Sequence, residues 1–149
     1  MSTLTESGTG ATTAARLERI RMASFGALTM LFLQFVLGVA YGLYGTAPTA
    51  KKSVGLFSSP LLAIHVILGI LLIIAAAMLV FRVVQARAGT ALLVTSIVGL
   101  VAILGAAGAG SSFAQNGADG ASLGMAIGTA VAMLCYTVNL VILPGKQRG

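Results

Sequence analysis

Four stretches of the chain, residues 24–46, 59–81, 90–112 and 121–143, run from end to end without an Asp, Glu, Lys or Arg. Each is close to the ~20 residues that carry an α-helix across ~30 Å of hydrocarbon. A helix satisfies its own backbone hydrogen bonds inside lipid, which an open strand cannot do. The pattern therefore predicts an all-α fold, an integral membrane four-helix bundle. Residues 1–15, MSTLTESGTGATTAA, show no apolar period and are expected as a disordered tail, leaving residues 16–149 as one domain.

The charges lie between these stretches and predict an orientation. Arg16, Arg19 and Arg21 precede the first, Arg82 and Arg87 separate the second from the third, and Lys146 and Arg148 follow the fourth. The other two connections hold only Lys51, Lys52 and Asp119. By the positive-inside rule both termini and the middle loop are expected in the cytoplasm. The first apolar run, at roughly 20 residues, exceeds the ~7–15 of a cleaved signal sequence, so it is expected to remain as an anchor.

Composition agrees with a lipid solvent: 58% of the 149 residues are hydrophobic and 8% charged, against about 25% charged in soluble domains. The expected location is a membrane crossed several times, the cytoplasmic membrane of a prokaryote. The net charge of +6 follows from the basic loops. No solvated basic face with polar or aromatic readers accompanies it, so nucleic acid is not an expected partner. The single cysteine, Cys135, lies inside the fourth stretch and excludes an intrachain disulfide.

Helices in lipid associate through small residues and a few hydrogen bonds. Gly38 and Gly42 on the first helix, Gly69 on the second, Gly99 on the third and Gly120, Gly124 and Gly128 on the fourth are the expected packing positions. Gln34 lies one turn before Gly38. A stripe of Ser122, Thr129 and Tyr136 marks another side of the fourth helix.

Chemistry-bearing residues are few. Glu6, Glu18 and Asp119 all lie outside the spans, which argues against proton-coupled transport. Zinc spacing and a Ser/His/Asp set are both missing from the sequence. The one histidine, His65, shares a helix face with Gly69, Leu72 and Ala76, so it should meet a neighbouring helix. Two roles are open to it: a neutral imidazole bonded across the bundle to a hydroxyl, amide or water, or a metal or haem ligand.

Helix 1 reads FLQFVLGVAYGLYG and helix 2 opens AIHVILG, an arrangement that resembles one four-helix half of the haem A synthase family. LQFVLG and LVAILG, and AMLVF and AMLCY, form a faint internal repeat in which His65 falls opposite Gly120. The resemblance implies haem as a cofactor and His65 as an axial ligand. It departs from the family in lacking a second histidine on helix 4, a carboxylate among residues 58–64, and half the usual length. These departures argue against synthase chemistry. Met125, at a depth similar to that of His65, is the expected second ligand if haem binds, or else His65 from each of two subunits.

From the residues alone the leading expectation is a non-catalytic structural or accessory subunit without a cofactor. It would pack through its Gly/Ala faces, with the lipid bilayer and a homo-oligomer or larger membrane complex as partners. The alternative is a haem-binding membrane protein.

Overall fold

The computed structural model describes residues 4–45, 48, 53–55, 57–117 and 119–143. The fold is all-α, with α1 (Leu4–Tyr44), α2 (Pro60–Ala86), α3 (Thr90–Asn116) and α4 (Asp119–Ile142). All four helices are long and apolar enough to cross a membrane. The shortest such span, Gly120–Ile142, has 23 residues and reaches about 35 Å at 1.5 Å per residue.

Helix α1 is longer than the apolar pattern indicates. It begins at Leu4 rather than Ser24 and takes in most of the segment expected as a tail. Ala14, Ala15, Arg16, Leu17, Glu18 and Arg19 are all strong helix formers, so a helix nucleated in the apolar stretch can propagate back as far as Ala14 at little cost. Helices α2 and α3 likewise run about a turn beyond their apolar stretches, to Ala86 and Asn116.

Local chemistry explains where the helices stop. Ser59 caps α2, its hydroxyl accepting from Leu62 N–H at 3.2 Å, with Pro60 in the first turn. At its other end Arg87 adopts a left-handed conformation (φ 47°), and Ala88 N–H closes back on Val83 C=O. That is the usual left-handed helix stop, here built on a residue with a Cβ. Gly117 ends α3 in the same way, its N–H bonding Phe113 C=O at 2.8 Å.

Helix α1 packs on α2 and α4, and α3 packs on the same two, while the diagonal pairs do not touch among the described residues. The result is a square, antiparallel bundle. Its centre is filled by Ile20, Ala27 and Leu31 of α1, Leu72, Ala76, Leu79 and Val83 of α2, Leu92 and Ile103 of α3, and Ala132 and Tyr136 of α4. Large apolar side chains also cover the outside; Ile74, Phe81, Val101 and Leu134 are all exposed. A soluble bundle would place charge there.

The two ends of the bundle differ. At the end near Arg87 the interior is tight and polar. Asn139 is fully buried, donates to Ser96 Oγ at 3.1 Å, and accepts from the Thr95 hydroxyl. Tyr136, also fully buried, lays its ring across Gly99, where a Cβ would lie 3.0 Å from the ring. At the end near Pro60 the helices stand apart around a cavity.

Candidate functional site in the cavity near Pro60

The cavity has a volume of about 480 Å³ and is lined by all four helices. Small-molecule sites usually occupy ~300–1,000 Å³ and have mainly apolar walls with a few placed polar groups. Small residues create the space: Gly38 and Gly42 on α1, Gly69 on α2, Ala106, Ala107 and Gly110 on α3, and Ala126 on α4 all line it. Leu31, Leu72 and Ile103 line it too, and they belong to the central core. The connection after α1 contributes Pro48 and Val54, and Val54 N–H bonds Ala114 C=O on α3 at 2.9 Å.

Two polar side chains meet on one wall. Gln34 of α1 donates from its amide nitrogen to His65 C=O at 3.0 Å, and the same nitrogen lies 3.2 Å from His65 Nε2. Among the described residues, His65 Nδ1 and Gln34 Oε1 are buried without a hydrogen-bond partner. The amide lies over Gly69, where a Cβ would sit 3.0 Å from its nitrogen. The imidazole lies over Gly38, where a Cβ would sit 3.4 Å from the ring. Gln34 and His65 therefore interlock reciprocally, each seated in the notch that the other helix leaves at a glycine four residues along. Antiparallel helices in this register make both contacts at once.

The opposite wall holds Met125 on α4, whose sulfur rests against Gly110 of α3, 3.1 Å from where a Cβ would stand. Ser122 and Thr129 line the cavity as well, with the Thr129 hydroxyl donating back to Met125 C=O at 2.8 Å. The structure thus brings His65 and Met125 to one cavity, on helices diagonal to one another. Among the described residues, no three His, Cys, Asp or Glu side chains cluster as metal ligands. Cys135 is buried and free.

The glycines expected to pack divide into two sets. Gly38, Gly69, Gly99, Gly124 and Gly128 each face an atom of a neighbouring helix, and Gly128 is the tightest, 2.8 Å from Ala102 C=O measured from its would-be Cβ. Gly42 and Gly120 meet nothing within 4 Å among the described residues. Gly42 opens onto the cavity instead, and Gly120 stands at the exposed start of α4, before the helices converge. Gly105, paired with Gly38 in the internal repeat, also meets nothing, so the two positions do not make equivalent contacts.

Asn139 and the pairing of Gln34 with His65 escape a reading of the sequence. For the pair, a signal was present in the matched spacings Gln-x-x-x-Gly and His-x-x-x-Gly on adjacent helices. Comparison with family models, with curated proteins and with solved structures gives no match for this chain.

Proposed function

We propose that this chain is a multi-pass integral membrane protein of a prokaryotic cytoplasmic membrane, with both termini inside. It acts without catalysis, as an accessory protein that holds haem in the cavity near Pro60, with His65 as axial ligand. The observation that carries this reading is the convergence of His65, Gln34 and Met125 on one apolar cavity formed by all four helices. Sequence alone placed the structural role first; the cavity supports putting the haem reading ahead of it here.

The residues suit the group. Haem needs an apolar slot and one or two axial ligands rather than a cage of charged side chains. His65 would hold the iron through Nε2 once the Gln34 amide moves off it, and Met125 is the other residue that would hold it. The glycines and alanines on α1 and α3 help form the apolar cavity that would take the group. Haem, when bound, would supply one-electron chemistry; the chain's own residues orient it and exclude water. Protein purified in detergent after expression with haem available should show a Soret band, and His65→Ala should abolish it while the chain still inserts. A wild-type protein without the band overturns the haem reading.

A purely structural subunit, assembling with its own copies or a larger complex, is the second reading. The Thr95–Asn139–Ser96 cluster favours it, because it ties α3 to α4 with buried polar groups and lines no part of the cavity near Pro60. In that case His65→Leu leaves stability nearly unchanged, since it removes a polar group together with its need for a partner.

A further inference from the structure

We propose that Gln34 is the positioning residue of the cavity: it holds His65 as the Nδ1–H tautomer, with Nε2 unprotonated and its lone pair covered by the Gln34 amide until a ligand displaces it. This rests on the reading of His65 as the ligating residue. The orientation of the Gln34 carboxamide is set by its contact with the His65 backbone. The atom 3.0 Å from His65 C=O faces an acceptor, so it is the amide nitrogen and not the oxygen. That nitrogen carries two hydrogens. One goes to the carbonyl and the other points at His65 Nε2, 3.2 Å away.

A ring nitrogen facing a donor must itself accept, so the proton resides on Nδ1. Free imidazole side chains prefer the opposite tautomer, so the protein has to impose this one. The tautomer of a ligating histidine is commonly set by such a neighbour. Here the neighbour acts on the coordinating nitrogen rather than the remote one. A ligand that takes Nε2 must first displace the Gln34 amide, because that nitrogen lies 3.2 Å away along the same lone pair. Gly69 is part of the device, since a Cβ there would sit 3.0 Å from the amide nitrogen and push it away.

Because His65 is the only histidine, nitrogen-15 NMR of imidazole-labelled full-length protein in detergent, prepared without haem, reads this one ring. The expected wild-type spectrum shows a protonated Nδ1 and a bare Nε2. Gln34→Met, similar in length but without a donor, should shift the ring toward the Nε2–H form. Gly69→Ala should shift it the same way, and it decides the matter should Gln34→Met not fold. A wild-type ring protonated at Nε2, or a folded variant with an unchanged spectrum, overturns the proposal. Haemin added to the same samples separates the two readings. A Gln34-dependent Nδ1–H spectrum with no Soret band leaves the positioning intact and removes haem. A His65-dependent Soret band on an Nε2–H ring does the reverse.

Discussion

Single residues carry unequal weight in this bundle, and Asn139 is the plainest case. It is the fully buried amide of α4, and its side chain both donates to Ser96 and accepts from Thr95. Hydrogen bonds between membrane helices average ~0.6 kcal/mol and reach ~1.7 kcal/mol. Asn139→Ala breaks two of them and strands the Ser96 hydroxyl, so it should destabilise the protein by about 1–2 kcal/mol. Thermal unfolding in detergent checks this, and a double-mutant cycle with Ser96→Ala isolates the pairwise part. The Thr95 hydroxyl also lies near Ala91 C=O and Leu92 C=O, at 2.8 and 3.2 Å. Thr95→Val should therefore cost less than Asn139→Ala, because Asn139 would keep Ser96. In the sequence Asn139 reads as one polar residue in the last turns of an apolar helix, with nothing to set it apart. Its partners are more than forty residues away and depend on the register of α3 against α4, which a single-chain pattern does not contain. His65 was different: as the only histidine amid Leu, Ile and Val, it announced that its face met protein. Its partner, Gln34, was visible as a residue and invisible as a contact.

At the scale of elements, helix existence was legible because four uncharged runs leave no other way to satisfy a backbone in lipid. The beginning of α1 was not, because residues 14–23 carry charge and yet favour helix, while residues 4–13, with two glycines and four threonines, give no helix signal. Packing faces were legible only in part. Spacing places glycines on one side of a helix but does not say where along its length a neighbour comes close. The fourth helix tests this directly with three glycines in a row at four-residue intervals. A Cβ on Gly128 would meet the backbone oxygen of Ala102 at 2.8 Å, one on Gly124 would meet Ala109 Cβ at 3.3 Å, and one on Gly120 meets nothing. Backbone cannot step aside as a side-chain end can. Gly128→Ala should therefore cost about 1–3 kcal/mol by overpacking, and Gly124→Ala less. Gly120→Ala should be neutral or stabilising, by up to ~1 kcal/mol, since alanine is the better helix former. Melting temperatures of the three variants in one detergent give the order, and equal effects at all three sites would show that this face does not pack on α3. The α2–α3 turn offers the complementary experiment. Arg87 holds φ 47° with a Cβ, a conformation that costs non-glycine residues roughly 1–2 kcal/mol. Arg87→Gly should raise the melting temperature even though it deletes a basic residue.

For the whole molecule, the division of labour between the two ends depends on which way the bundle lies in the membrane. The polar Thr95–Ser96–Asn139 layer sits toward the α2–α3 turn, and the cavity with Gln34, His65 and Met125 sits toward the α1–α2 connection. Arg16, Arg19, Arg21, Arg82 and Arg87 all belong to the turn end of this antiparallel bundle. Basic residues within ~15–20 residues of a span are usually retained in the cytoplasm, so the proposed orientation would turn the tight end inward and the cavity outward. In that orientation His65, about one and a half turns past Pro60, lies shallow on the outer side and can be reached without crossing the polar layer. Reporter fusions after Arg87 and at Gly149 should read cytoplasmic, and one at Lys51 should read external. Reversing the charge bias gives a stronger test. Replacing Arg16, Arg19 and Arg21 together with neutral residues removes three of the seven inner basic residues and should produce a mixed population, because the first span usually dominates orientation. If the fusions read opposite in the wild type, the cavity faces the cytoplasm, and a haem held there would be loaded from inside.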